Sequence, residues 1–426
     1  MMNRRDFIGS VGAAGAVVGT EKPSLSSDPT GWRRHFPALR QRINGHPLTY
    51  LDTAATSLRP QPVLDAMMAF YCGPNANPGA TLHTLARRAA EAYDAARREI
   101  AGLVGSSDPL EIVFTRGTTE AINLAAFAWG MEHLKGGDEI LLTEAEHASN
   151  MLPWQLVAAR TGARVRYDSV HDDGQVDLES FSKSLSSRTR IAAFSHVSNV
   201  VGLINPVREM CDRARAAGAV TLVDAAQSAP HFPIDVREIG CDFLALSSHK
   251  MCGPMGVGAL WARRELLEAI TPYQAGSNMA HDVDLDSRHY SEGALKFGAG
   301  TPNVADAIGF AAAARYLREI GWDALRRHER LITRRMLDGL ARVRGLHLLG
   351  ASDAAARIGV FAFTIDGRKP AEIVTALDAK GIALRAGDLA ALPLLKRLGV
   401  TSAARASCYL YTTPAEIDRL LNALQQ

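Results

Sequence analysis

Short apolar runs recur along the first two thirds of the chain: Glu111-Ile112-Val113-Phe114-Thr115, Glu139-Ile140-Leu141-Leu142-Thr143, Arg164-Val165-Arg166-Tyr167, Ile191-Ala192-Ala193-Phe194-Ser195, Val220 to Asp224 and Phe243 to Ser247. Runs this short, apolar at successive positions, predict strands buried on both faces. Longer stretches of helical period lie between several of them. One predicts a helix over 206–217, with Pro206 suited to a first turn and Gly218 to a stop. Strands alternating with helices predict an α/β fold with a mainly parallel sheet covered on both faces, and in such sheets ligands collect at the C-terminal ends of strands.

The texture changes after about residue 310. A long helical region is predicted over 311–343, then a strand over 359–363, a helix over 370–380 and a last helix over 414–424, together a smaller α+β unit. The expected division is a segment 1–22, a large domain over 45–310, and a small domain formed by 30–44 with 311–426.

Composition narrows the class. A chain of 426 residues, 47% hydrophobic, can bury more than one core. Its 47 basic and 45 acidic residues are interspersed, with no basic block or aromatic-basic stripe, so nucleic acid is set aside as a partner. Cys72, Cys211, Cys241, Cys252 and Cys408 are widely spaced and odd in number. They spell neither a metal site nor a disulfide framework, and read as small apolar core residues.

The N-terminus differs from the rest. Asn3-Arg4-Arg5-Asp6-Phe7-Ile8 sets two arginines before a stretch of Gly, Ala and Val over 9–18, too short and too weakly hydrophobic to span a bilayer. The pattern reads as a twin-arginine export signal and predicts a periplasmic protein, folded around its ligand before transport. No clear small-x-small cleavage site follows, and the alternative is a tail on a cytoplasmic enzyme.

Candidate chemistry concentrates at the ends of the predicted strands. Asp224 closes one apolar run and Lys250 follows another. A lysine and a carboxylate at neighbouring strand mouths suit pyridoxal 5'-phosphate, which needs an imine-forming amine and an anion beside its ring nitrogen. Gly117-Thr118-Thr119 follows a strand and opens a helix predicted to reach about Trp129, so free amides and two hydroxyls can hold a phosphate. His147, just past another strand, can stack on a flat ring, although a histidine there also serves as an ordinary surface residue. Asn199 and Gln227 add side-chain amides at two further strand ends.

In order along the chain, Tyr50-Leu51-Asp52-Thr53-Ala54-Ala55, Arg116-Gly117-Thr118-Thr119-Glu120, Glu146-His147, His196-Val197-Ser198-Asn199-Val200-Val201-Gly202, Val223-Asp224-Ala225-Ala226-Gln227, Ser247-Ser248-His249-Lys250-Met251-Cys252-Gly253-Pro254 and Gly300-Thr301-Pro302-Asn303 make a specific series. Over about 30–424 the chain resembles the class V aminotransferases of pyridoxal-phosphate fold type I, and most closely their cysteine desulfurase and selenocysteine lyase branch. The resemblance implies Lys250 as the cofactor's covalent anchor and proton carrier, Asp224 at the ring nitrogen and His147 stacked on the ring. It further implies Thr118, Thr119, Ser247 and His249 on the phosphate, Asn199 and Gln227 about the ring oxygen, and Thr301 reaching the cofactor of the partner in a homodimer. Arg405 would grip the carboxylate of an amino-acid or peptide-like substrate, with Arg385 near the same pocket and His83 at its entrance.

One departure carries weight. In desulfurases the segment after the arginine reads Arg, a small residue, Gly, two residues, then the cysteine that carries sulfur as a persulfide. Here it reads Arg385-Ala386-Gly387-Asp388-Leu389-Ala390-Ala391-Leu392-Pro393, with Ala390 in the cysteine's place. A methyl group is no nucleophile, and Cys252 and Cys408 do not lie on this segment. The expected activity is therefore β-lyase cleavage of C–S, C–Se or a related bond without a persulfide cysteine. Epimerisation or transamination of a peptide or secondary metabolite, and a non-catalytic scaffold on the same fold, are the alternatives.

Overall fold

The structure, a computed structural model, describes residues 29–79 and 81–426, so the segment 1–22 with its arginine pair lies outside the described residues. Seven strands make the main sheet: β1 (Ile112–Thr115), β2 (Glu139–Thr143), β3 (Arg164–Asp168), β4 (Thr189–Ser195), β5 (Val220–Asp224), β6 (Phe243–Ser247) and β7 (Gly258–Ala262). Their order across the sheet is β1-β7-β6-β5-β4-β2-β3. All neighbours are parallel except at β7, which runs antiparallel to both β1 and β6.

Side chains alternate between the faces, as the pleat requires. Val113, Ile140, Leu142, Leu222, Ala245 and Leu260 enter one core with Ile122, Trp129 and Trp154. Leu141, Phe194, Val223, Leu244, Leu246 and Trp261 enter the other, with Ile100, Phe310 and Leu317. Burial on both faces explains why these strands read as unbroken apolar runs. The strand expected over 164–167 is the exception: β3 lies at the sheet edge and carries exposed Arg164, Arg166 and Tyr167, so it is not buried on both faces.

The helical region expected over 311–343 is two helices. One spans Val304–Ile320 and the next Trp322–Leu340, parted by Gly321 at φ 83° and ψ 127°. That backbone conformation is essentially reserved for glycine. The break sends the two helices to different cores: Phe310 and Leu317 pack with the main sheet, while Ile332, Met336 and Leu340 pack with a second one. The boundary expected near 310 thus falls inside a continuous helix. The strand over 258–262 and the break at 321 were both absent from the pattern-based expectation.

The second sheet is antiparallel, with β8 (Leu346–Leu348), β9 (Val360–Ile365), β10 (Arg385–Gly387) and β11 (Ala403–Ser407) in the order β8-β9-β11-β10. Its Phe361, Phe363, Ala404 and Ala406 pack on Ile373, Ile417 and Leu420, from the helices Pro370–Asp378 and Pro414–Leu424. An early segment is stitched to this unit: Thr49–Tyr50 pairs in parallel with Ile382–Ala383, and Asp52 bridges to Ser407. No helix among the described residues is long and apolar enough to cross a membrane.

Candidate active site

Five strands of the main sheet end at one edge, and the residues just past them line a cavity of about 380 Å³ closed on its far side by β10, β11 and the loop between them. Thr118, Thr119, His147, Asn199, Asp224, Gln227, Ser247, His249 and Lys250 all line it, and Arg385 and Arg405 face them from the second sheet. His83 and Thr301 stand elsewhere. His83 caps the helix Thr84–Leu103, its Nδ1 accepting from Ala86 N at 3.3 Å, and Thr301 accepts from Asn77 Nδ2 at 3.1 Å. Neither lines the cavity of its own chain.

Lys250 sits in one helical turn after β6, its preceding carbonyl clamped: His249 O accepts from Ser57 N and Ser57 Oγ at 2.9 Å and from Thr56 Oγ1 at 3.1 Å. Enclosure by protein pulls the ammonium pKa down to about 8, helped by the positive charge of Arg405 and opposed by Asp224. Asp224 Oδ1 accepts from Ala226 N at 2.9 Å. Burial pushes its pKa up, and the charge of Lys250 works against that. The two groups thus hold each other charged in a poorly solvated place, the setting in which a lysine becomes a usable nucleophile near neutral pH.

At the phosphate end, Gly117 has φ 149°, and a side chain there would crowd Ser247 Oγ at 3.2 Å. The turn it permits opens a helical run starting at Thr118, α-helical to Leu124 and widened to a π-helical stretch over Ala125–Gly130. Ser247 Oγ accepts from Thr118 N at 2.8 Å and meets Thr118 Oγ1 at 2.8 Å, and Thr119 Oγ1 meets Ser149 Oγ at 2.9 Å. His249 stays neutral, its pKa lowered to about 4 by burial first and by Lys250 and Arg59 next.

His147 is neutral for the same reasons: burial first, then Lys250 and Arg405, bring it to about 4, with Asp388 opposing. Behind it Glu146 is fully buried and takes hydrogen bonds from Thr143 Oγ1 at 2.6 Å, Asn150 Nδ2 at 2.8 Å and Ser195 Oγ at 2.6 Å. Burial lifts that carboxyl to about 7. The network ties the ends of β2 and β4 together and sets the turn that carries His147.

The amides expected at the ring oxygen also brace the wall. Gln227 Nε2 donates to Ala54 O at 2.8 Å, and Asn199 Nδ2 donates to Leu389 O at 2.8 Å. Arg405, only 2% exposed, donates through Nη1 to Asn199 O at 2.9 Å and through Nη2 to Asp52 Oδ1 at 3.3 Å. Arg385 meets the same Asp52 through Nε at 3.2 Å and Nη2 at 3.1 Å. Asp52, Ser149, Ser195 and Asp388 were given no site role from the sequence. Asp52 and Ser149 stand in or beside the motifs that carry the resemblance, so position in those motifs was the available signal.

Ala390 lines the cavity, and the segment around it is pinned. Leu389 and Ala390 take φ of 54° and 53°, Ala390 N donates to Asp388 Oδ1 at 3.1 Å, and Ala390 O accepts from Ala148 N at 2.7 Å. None of the five cysteines is among the side chains lining the cavity. Cys252 is buried away from it, with its thiol pushed up to about 12 by burial, and Cys408 is likewise pushed up.

A buried amine of low pKa, a facing carboxylate, a hydroxyl-lined helix start and a neutral imidazole fit pyridoxal 5'-phosphate, with Lys250 as anchor, Asp224 at the ring nitrogen and Thr118, Ser247 and His249 at the phosphate. Fold and site together define a pyridoxal-phosphate enzyme of fold type I. The model of the class-V aminotransferase family matches residues 49–420, and the chain belongs to that family. A probable cysteine desulfurase of Synechocystis sp. is 43% identical over 412 residues, covering 96% of this chain and 97% of that protein. A second, from Halalkalibacterium halodurans, is 45% identical over 394 residues, 92% of this chain and 96% of that one. Among solved structures, the cysteine desulfurase CsdA of Escherichia coli, in an S-sulfonic acid form, superposes with a TM-score of 0.85 at 38% identity, over 93% of this chain and 97% of that one. The cystine C-S lyase C-DES, in complex with its reaction product cysteine persulfide, superposes with a TM-score of 0.80 at 25% identity, over 92% and 99%. The protein is accordingly a pyridoxal-phosphate enzyme of cysteine desulfurase type.

Proposed function

We propose that the enzyme is a β-lyase that cleaves a C–S or C–Se bond of an amino acid without a persulfide-carrying thiol. The observation that carries this reading is Ala390 on the cavity wall, with no cysteine beside it. Transfer of sulfur to the protein needs a thiolate placed against the substrate. Elimination does not. The C-S lyase activity named for C-DES, on the same fold, supports the same reading.

When bound, the cofactor supplies an electron sink for negative charge at the substrate Cα. The side chains do the rest. Arg405 holds the α-carboxylate, a task suited to a buried, planar guanidinium on the cavity wall. Lys250, with its pKa near 8, takes the Cα proton and carries protons at working pH. The Cβ–S bond then breaks with its electron pair on sulfur, which leaves as a thiol, persulfide or sulfide. Hydrolysis of the remaining three-carbon fragment gives pyruvate and ammonia. Neutral His147, on the cavity wall, would lie beside the ring without adding charge to the cavity.

We also propose a homodimer and export through the twin-arginine route. Thr301, off its own cavity beside Asn77, and exposed Met68 and Tyr71 on the helix Gln61–Cys72 support the dimer; the sequence Asn3-Arg4-Arg5-Asp6-Phe7 supports export.

The test is product analysis with L-cysteine, L-selenocysteine, L-cysteine sulfinate and L-cystine. Pyruvate and ammonia in equal amounts are expected from at least one of them, with no persulfide on the protein by mass. Lys250→Ala should lower the rate by about 10²–10⁴-fold. Alanine as the main product, with sulfur left on the chain, would overturn the reading.

A further inference from the structure

We propose that Ser57 is a positioning residue for Lys250: its hydroxyl closes the turn that carries the lysine and so fixes where the amine stands against the cofactor. The inference rests on the cofactor and not on which bond the enzyme breaks, so it holds whatever the substrate.

Nothing grips the amine itself. Lys250 Nζ makes no hydrogen bond among the described residues, and its interactions with Asp224 and Arg405 are those of charge alone. Its position therefore follows from where the backbone launches a flexible stem. The launching turn is tight. Ser248 O accepts from Met251 N at 2.8 Å and from Gly253 N at 3.1 Å, and Cys252 lies between them at φ 63°. A residue with a side chain rarely adopts that left-handed conformation, and keeps it only where its surroundings impose it.

Ser57 imposes it from a distant part of the chain. Its Oγ accepts from Cys252 N at 2.7 Å and donates to His249 O at 2.9 Å, and its own N–H donates to the same carbonyl at 2.9 Å. One hydroxyl thus spans the turn from the residue before Lys250 to the second residue after it. Ser57 is completely buried, so water does not replace either bond when the hydroxyl is lost. Thr56 Oγ1 also reaches His249 O, at 3.1 Å, but it holds only that side of the turn.

Ser57 is itself held. Arg59 Nη1 donates to Ser57 O at 2.6 Å, and Leu58 N donates to Tyr411 Oη at 3.1 Å. The stretch that leads into it is tied to the rest of the site: Asp52 meets Arg385 and Arg405, Ala54 N donates to Ser407 Oγ at 3.0 Å, and Ala54 O accepts from Gln227 Nε2 at 2.8 Å. Residues 52–57 therefore set both the Lys250 turn and the Arg405 guanidinium on the wall of one cavity.

The experiment is stopped-flow capture of pyridoxal 5'-phosphate by full-length apoenzyme over a range of cofactor concentrations, with a denaturation midpoint for each variant. Saturation separates two quantities: a docking constant, governed by the phosphate end of the site, and a limiting rate, governed by the approach of the amine. In Ser57→Ala the limiting rate should fall about 10–10²-fold, the scale of a reacting group misplaced by about an ångström, with the docking constant within about twofold of wild type. Ser57→Thr keeps the hydroxyl and should keep the limiting rate within about twofold, even where its extra methyl lowers the denaturation midpoint. A wild-type limiting rate in Ser57→Ala, a docking constant and limiting rate weakened by the same factor, or a Ser57→Thr enzyme as slow as Ser57→Ala overturns the assignment. Cys252→Gly, which takes φ 63° without strain, is added where Ser57→Ala alone does not fold. The turn is then relaxed but unheld, so the limiting rate should stay low, and a wild-type rate in that double variant also overturns the assignment.

Discussion

Lys250 is a lysine placed where losing its proton is easy. Removal from water and the charge of Arg405 lower its pKa, while Asp224 raises it, and the balance falls near 8. Only a neutral amine adds to an aldehyde, so the rate at which apoenzyme captures pyridoxal phosphate should climb as pH rises through about 8 and then level off. Asp224→Asn removes the opposing charge and should move that midpoint to lower pH. Stopped-flow absorbance over a pH series checks both, and a midpoint near that of free lysine would show that the ammonium is better solvated than this geometry allows. Ala390→Cys belongs to the same scale. A thiol there faces the cavity, but from a backbone at φ 53° held at both ends. We expect at most a weak gain of persulfide, read by mass after incubation with L-cysteine; turnover matching a desulfurase would show that the wall needs no mobility.

Asp224 and Lys250 were legible in sequence because Asp224 ends one strand and Lys250 follows the next by three residues, within a single turn of its end. Asp52 was not. Its importance comes from meeting two guanidinium groups, Arg385 and Arg405, more than three hundred positions away. No local pattern records such a meeting.

At the scale of elements, the break at Gly321 decides how the second sheet meets the first. The helical period runs through it without a fault, which is why one long helix was expected over 311–343. The glycine's φ of 83° separates two helices that serve different cores. Gly321→Ala should therefore cost about 1–3 kcal/mol, read as a lowered denaturation midpoint, because the positive φ there strains any residue that carries a Cβ. A neutral outcome would mean that the two helices can join as one. The strand β7 escaped notice for a related reason. Gly258-Ala259-Leu260-Trp261-Ala262 carries small residues that pattern reading passes over, and its place between β1 and β6 comes from pairing to both.

The whole molecule sets the site at the junction of two sheets. One contributes the strand ends that line the cavity, the other contributes Arg385, Arg405 and the Ala390 segment. Export acts at this scale too. Lysine in place of both Arg4 and Arg5 should leave the enzyme in the cytoplasm, as read by cell fractionation, if the pair works as a twin-arginine signal. Equal periplasmic recovery of that variant would remove the export proposal. A homodimer in sedimentation, lost or weakened by charge introduced at Met68 or Tyr71, would fit the exposed apolar positions on the helix Gln61–Cys72.

The sequence by itself determined the mainly parallel sheet and the placing of Lys250, Asp224 and the Gly117-Thr118-Thr119 turn at its strand ends. These follow from local causes: apolar runs buried on two faces, a glycine before two threonines, and side chains at or within a turn of a strand end. It also determined that alanine stands at position 390. Only the tertiary structure decided that Arg385, Asp388 and Arg405 converge on that cavity, that Asp52 braces two of them, and that none of the five cysteines lines it. Those facts depend on which loops of two separate sheets meet, and that meeting is set by the packing of distant residues and not by any stretch of chain read alone.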